Sequence, residues 1–240
     1  MRGVITATPI HLLSADKRKK APSVSEMFID IGASNKEEAL TLTDIGEYFT
    51  FDSDFVSLGS DKVKAKALDD RHGCTIMLEI IRKMANEGKK SPYDLYFAFT
   101  TREEVSFSSA FCATEIIKPD YAVVIESKAV LDLPNVSEDK SVGTLGDGGL
   151  ISYADGACIM DRGLVDSLIQ ICEQNTIKYQ INRSVSGGND ASTIQRSADG
   201  TKVALISAPS RYIHSSSSVV SVSDMESIMK TLFAFVTKEN

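Results

Sequence analysis

Five acidic residues and one histidine carry the chemistry this sequence can offer: Asp69-Asp70, Glu103-Glu104, Glu126 and His214. Asp69-Asp70 lies between an extended run and a helical pattern. Glu103-Glu104 follows a run ending at Thr101, Glu126 closes a run beginning at Tyr121, and His214 sits in the loop Arg211-Tyr212-Ile213-His214-Ser215. Taken singly, each has an ordinary explanation: an Asp pair before a helix caps it and meets the positive end of its dipole, and a Glu pair on a loop is solvated. Gathered on one edge, they would repel each other unless a cation sat among them. Carboxylate oxygens with an imidazole nitrogen suit Zn²⁺, Co²⁺ or Mn²⁺. In an adjacent Glu pair, one side chain can hold the ion while the other acts on water as general base.

Such convergence requires that the acidic positions lie at strand ends of one sheet. From Val63 onward, strand and helix patterns alternate. Helices are expected over Arg71 to Asn86 (closed by Gly88), Ser108 to Ile117, Arg162 to Asn175 and Asp224 to Thr237. Buried strands are expected at Leu95 to Thr100, Tyr121 to Glu126 and Val203 to Ser207. Alternation of this kind predicts a three-layer α/β/α sandwich around a mixed, mostly parallel sheet, whose ligands gather at the carboxyl ends of the strands. Residues 1–62 differ in texture: short extended pieces (Met27 to Ile31, Tyr48 to Phe51) and one helix, Ser34 to Thr41, opened by a capping pattern of Ser34 with Glu37. They read as the remainder of a small β-rich domain, and residues 63–240 as the catalytic one.

Composition removes several alternatives. A net charge of −7 argues against nucleic acid as the main partner, because phosphate binding needs a basic face. The one basic run, Lys17 to Lys20, reads as a solvated loop. No apolar stretch is long enough for a membrane helix and the start lacks a secretory pattern, so a cytoplasmic protein without a membrane partner is expected. Cys74, Cys112, Cys158 and Cys172 lie far apart with no Cys-x-x-Cys pair, which reads as free thiols rather than a zinc knuckle or disulfide framework.

Four motifs occur in order: Lys66-Ala67-Leu68-Asp69-Asp70-Arg71-His72-Gly73-Cys74, Thr101-Arg102-Glu103-Glu104-Val105, Ser186-Gly187-Gly188-Asn189-Asp190-Ala191 and Arg211-Tyr212-Ile213-His214-Ser215. Together they resemble the dinuclear aminopeptidases that include glutamyl aminopeptidases and the tetrahedral (TET) peptidases, with the likeness covering essentially the whole chain. Arg2 to Ile5, His11 to Leu13 and Phe28 to Ser34 resemble that family's insertion domain. The resemblance implies roles. Asp69 matches the carboxylate bridging two divalent ions (Zn, Co or Mn), and Asp70 its catalytic neighbour, which follows an unusual cis peptide and orients a ligand. Glu103 matches the general base, Glu104 and His214 the ligands of one ion, and Glu126 a ligand of the other. Gly187, Gly188, Asn189 and Asp190 match a loop bordering the pocket for peptide substrates. The implied reaction is hydrolysis at the first peptide bond, in which Glu103 takes a proton from the attacking water.

The chain also departs from the family pattern. A further N-terminal stretch with a His-x-Asp motif is expected to precede Met1. Without it one ion keeps three protein ligands and the other two, and neither His11 nor His72 is expected to substitute. Ser106 and Ser109 stand where glycine is usual and Ser216 where proline is usual, which is expected to shift or loosen their loops. A truncated or degenerate, non-catalytic member is therefore the competing expectation, with amide deacylation behind it. Homo-oligomers are a family tendency, and exposed apolar faces are expected to favour association.

Overall fold

A computed structural model describes residues 1–137 and 141–238, and the chain divides into two compact units, Met1–Thr50 and Phe51–Asn240. In the first, β1 (Val4–Thr6) pairs antiparallel with β2 (Phe28–Asp30), Ile5 opposite Ile29. Between them lie three single 3-10 turns. The basic run occupies the second turn, where Arg18 donates to the Leu13 carbonyl (2.9 Å) and Lys19 lies 3.8 Å from Asp16. Its charge thus serves the loop itself. Helix α1 (Lys36–Leu42) starts two residues later than the expected Ser34. Asn35 is its cap, accepting from the Glu38 amide at 2.9 Å, while the Glu38 carboxylate accepts from the Ser34 amide at 2.8 Å. Two cap-competent residues followed by two glutamates satisfy the pattern in either register, and the asparagine wins. Tyr48 to Phe51, expected to be extended, belongs to no strand, and its three aromatic side chains are exposed.

The second unit is built on a seven-stranded sheet. Strands β3 (Val56–Leu58) and β4 (Lys62–Ala65) pair antiparallel, and β4 continues onto β9 (Ser218–Ser221). These early strands belong to the large sheet, so the division between units falls at Thr50, ahead of the expected boundary at 62. The longest ladder is parallel: β5 (Tyr121–Ala129) runs along β8 (Lys202–Arg211), with Glu126 opposite Ser207. Strand β6 (Gly149–Ser152) joins β8 antiparallel and β7 (Tyr179–Ile181) parallel.

Every residue from Val203 to Ser210 is buried, as a strand must be when both sheet faces are covered. Helix α2 (Leu68–Glu87) packs on α7 (Val222–Thr237), which packs on α5 (Arg162–Gln174). Helix α4 (Ser108–Ile117) packs on α6 (Asp190–Gln195). This is the α/β/α layering with a mixed sheet. Ile76 and Ile80 of α2, Val165 and Leu168 of α5, Ile206 of β8 and Ile228 of α7 meet in one core. Gly149 permits that close packing, since a Cβ there would lie 2.5 Å from Ile228 Cγ1. The expected strand at Leu95 to Thr100 has no ladder: Phe97 packs on the core, but Tyr96 and Phe99 are 66% and 46% exposed. Apolar content marked this run for burial, yet no neighbouring strand pairs with it among the described residues. No helix among them is long and apolar enough to cross a membrane.

A candidate metal centre

The chain leaves β4 through Ala67, at φ 53°, and enters α2 across a cis peptide bond between Asp69 and Asp70. Both aspartates have non-helical φ/ψ, and regular helix begins at Arg71, whose amide bonds the Ala67 carbonyl at 3.1 Å. Asp70 folds back over this first turn, its Oδ1 accepting from the Gly73 amide at 3.3 Å. Gly73 makes room for it, because a Cβ there would meet Asp70 Oδ2 at 2.2 Å.

Glu103 and Glu104 begin the short helix α3 (Glu103–Ser106), which is flanked by left-handed residues Arg102 (φ 64°) and Phe107 (φ 52°). The positive φ angles therefore fall beside the two serines that replace glycine, so neither Ser106 nor Ser109 needs glycine's freedom. Ser109 instead accepts from the Thr101 amide at 2.7 Å and donates to the Thr101 carbonyl, pinning the chain just before the glutamates. Glu126 does not close its strand. It lies within β5, whose ladder with β8 continues to Ala129 because no turn residue interrupts it. His214 stands three residues beyond β8 at φ 57°. Its loop is tied by Ser215 Oγ, which donates to the Tyr212 carbonyl (2.7 Å) or to that of Ser217 (2.8 Å).

These elements bring together two groups of side chains with spacing suited to a metal ion: Asp69, Glu104 and His214, and Asp69, Asp70 and Glu126. In the first, His214 Nε2 lies 3.3 Å from Asp69 Oδ2 and 3.2 Å from Glu104 Oε2. The His214 side chain is 67% exposed, so this group is open to solvent. The second is enclosed and contains only carboxylates. Burial, reinforced by Asp70, Glu103 and Asp69, pushes the Glu126 carboxyl up to about 10. Burial, then Asp69, pushes Asp70 well above its ordinary value. Burial and the carboxylates of Glu104, Asp190 and Asp69 bring Glu103 to about 7. Glu104 is raised by burial and Asp69, with His214 opposing. Crowded carboxylates that hold protons this strongly are a donor set short of positive charge, which a divalent cation supplies. The oxygen and nitrogen donors thus fit the expected ions.

The loop from Gly187 to Asp190 divides in two. Gly187 and Gly188 are exposed, whereas Asn189 and Asp190 are buried. Asn189 caps α6 through the Ala191 amide (2.9 Å) and donates to Asp155 Oδ2 (3.0 Å). Asp190 Oδ2 accepts from Thr100 Oγ1 at 2.8 Å, while its Oδ1 has no partner among the described residues. Of the nearby cations, Arg211 is held by Asp132 in a two-point contact of 2.7 and 2.8 Å. Lys128 donates to the Ser186 carbonyl at 2.8 Å. Sequence reasoning also passed over Ser127 and left His72 without a role. His72 is 1% exposed, and its Nε2 lies 2.7 Å from Ser127 Oγ and 3.2 Å from Asp70 Oδ1. Burial lowers its pKa to about 4, so the ring is neutral. An imidazole one turn into an amphipathic helix, two residues from the acidic pair, was the available signal.

Comparisons with known proteins bear on the chain's fold and family. The chain is 36% identical over 209 residues to a candidate aminopeptidase of Acetivibrio thermocellus, covering 87% of this chain and 61% of that one. Its fold matches an aminopeptidase from the archaeon Desulfurococcus kamchatkensis with a TM-score of 0.92 and 33% identity, over 99% of this chain and 65% of the other. It matches the Pyrococcus horikoshii TET1 peptidase, described as able to assemble into a tetrahedron or a large octahedral shell, with a TM-score of 0.86 and 33% identity, over 99% of this chain and 68% of the other. The chain spans less than two thirds of the length of the Acetivibrio relative. The M42 glutamyl aminopeptidase family model matches residues 1–231, and the chain belongs to that family.

Proposed function

We propose that this chain is a metal-dependent aminopeptidase that releases residues from peptide N-termini, with Glu103 as general base. The observation that carries the reading is Glu103 itself, with its carboxyl brought to about 7 beside two ligand-competent groups that share Asp69. A base with a pKa near the working pH can both take a proton from water and return it to the departing amine. Divalent ions held by Asp69, Glu104 and His214 and by Asp69 and Glu126 would supply the Lewis acidity that polarises the peptide carbonyl and stabilises the oxyanion.

The chain's own residues account for the rest. Asp190, buried and with no partner at Oδ1 among the described residues, adds to the burial and the Glu104 charge that raise Glu103. Ser109 fixes the backbone that presents Glu103. The surplus of carboxylates attracts the α-ammonium of a peptide, which confines cleavage to the first residue. Gly187 and Gly188 leave bare backbone on the exposed side of the loop, where an extended peptide can lie close. Assembly into a homo-oligomer is part of the same proposal, supported by the shells described for the Pyrococcus horikoshii neighbour.

The test is a peptide ladder. Purified chain supplied with Co²⁺, Zn²⁺ or Mn²⁺ is incubated with a free decapeptide and with its N-acetylated copy, and products are read by mass spectrometry. Stepwise loss of N-terminal residues from the free peptide alone is expected. Cleavage of the acetylated copy at the same rate, or no release with any ion, would overturn the reading.

A further inference from the structure

We infer that Asp132 is a positioning residue: by holding Arg211 it sets the loop that presents His214 to the group of Asp69, Glu104 and His214. The inference rests on the metal site of the proposed function and deepens it, since Asp132 lies outside every motif that carries the family resemblance. Strand β8 ends at Arg211 and β9 begins at Ser218, so residues 212–217 form the loop of a hairpin whose last ladder pair is Arg211 with Val219. Within this loop Tyr212 and His214 hold φ angles of 61° and 57°. Side chains with a Cβ disfavour that left-handed conformation, and it persists only where the surroundings enforce it. His214 Nε2 comes within 3.3 Å of Asp69 Oδ2 and 3.2 Å of Glu104 Oε2, yet its side chain is 67% exposed. Packing around the ring therefore does not place it.

The loop is anchored at its two ends. At the near end, Arg211 Nε donates to Asp132 Oδ1 at 2.7 Å and Nη2 to Oδ2 at 2.8 Å, and Nη2 also reaches the Asp132 carbonyl at 3.2 Å. Asp132 is itself fixed. Its side chain is 10% exposed, its Oδ2 accepts from the Leu145 amide at 3.0 Å, and the Val130 amide bonds the Ser210 carbonyl at 3.0 Å. A two-point contact with a carboxylate sets the plane of the guanidinium as well as its place, which a lysine ammonium cannot match. At the far end, Ser217 Oγ lies 2.6 Å from Ser53 Oγ, to which Lys64 Nζ donates at 3.1 Å. The near end carries the charged, two-point contact and is the stiffer of the two. Ser215 Oγ lies 2.7 Å from the Tyr212 carbonyl and closes the short interval that bears His214, so a shift of Arg211 passes to the imidazole.

The chain has three histidines, so long-range proton–nitrogen spectra of histidine-labelled full chain isolate the His214 ring, identified by the signal missing from His214→Ala. Chain stripped by chelation is titrated with Zn²⁺ alone, and the midpoint of the His214 shift is read. Asp132→Ala is expected to raise that midpoint about tenfold, the lower end of what losing a group that orients a metal ligand costs. Arg211→Lys should fall between the parent and Asp132→Ala, and adding Asp132→Ala to Arg211→Ala should move the midpoint no further. A role confined to packing would lower the melting temperature and leave the midpoint of the folded chain where it was. If Asp132→Ala does not fold, Asp132→Asn takes its place, since it keeps an acceptor for Leu145 and gives up the charge. An unmoved midpoint in a folded variant, additive losses in the double variant, or no His214 shift with Zn²⁺ in the parent chain would each overturn the inference. A chain whose midpoint moves as expected but that trims no peptide would overturn the proposed function alone, and one that trims peptide with an unmoved midpoint would overturn this inference alone.

Discussion

The group of Asp69, Glu104 and His214 and the group of Asp69, Asp70 and Glu126 share one residue and differ in everything else that governs an ion. The first is open, and its imidazole faces two carboxylates at 3.2 and 3.3 Å. The second is enclosed and wholly acidic, with Glu126 pushed up to about 10. An ion entering the open group competes mainly with water. An ion entering the enclosed group would also displace a proton, because Glu126, pushed up to about 10, holds one at neutral pH. Two groups that share one carboxylate would therefore fill under different conditions, and Glu103 lies close enough to both to feel Asp69 and Glu104 and to act on Glu126 in turn.

The largest expected effect breaks the comparison at the base. Glu103→Gln should lower peptide release by about 10²- to 10⁴-fold while both ions bind as before. A variant that loses an ion as well would place Glu103 among the ligands instead. Next in size is the pH dependence of the two affinities. If one ion displaces one proton from the enclosed group, its affinity should rise about tenfold per pH unit between pH 6 and 9. The ion of the open group should change far less over the same range. Parallel slopes in calorimetry would remove the distinction.

Smaller still is the effect on the metal-free chain. Glu103 and Glu126 have folded-state pKa values of about 7 and about 10, raised above the ordinary value of 4.5. The folded state therefore holds more protons than the unfolded one between these limits, and stability falls as pH rises. His72 works in the opposite sense, with a folded value of about 4 against 6.5, so its contribution is complete above pH 6.5 and is lost as pH falls toward 4. Of these three groups, only the two carboxyls still act above pH 6.5. The melting temperature of the stripped chain should fall from pH 6.5 to 9, and saturating Mn²⁺ should abolish or reverse that slope. A slope unaffected by metal would mean that the carboxylates are not where the ion binds.

The sequence made the site's parts legible and left its inequality hidden. Strong periodicity marked α2, α4, α5 and α7 to within a few residues, and acidic pairs at the starts of two of the observed helices pointed to chemistry. Strands β6 and β9 escaped because Gly149 and the serines of Ser218–Ser221 owe their burial to neighbours on β8 and α7, not to their own hydropathy. Leu95 to Thr100 misled in the other direction, since apolar content cannot say whether a partner strand lies alongside. The enclosed group was illegible for a similar reason. Asp70 read as a helix cap or a neighbour of a ligand, and its approach to Glu126 depends on a turn and on the room that Gly73 leaves.

The account turns on Asp69 serving both groups, and counting ions per chain in Asp69→Asn tests this most directly. His214→Ala and Glu126→Gln should each lose one ion and keep the other, whereas Asp69→Asn should lose both at Mn²⁺ concentrations that load the parent chain with two. An Asp69→Asn chain that folds and still retains one tightly bound ion would contradict it.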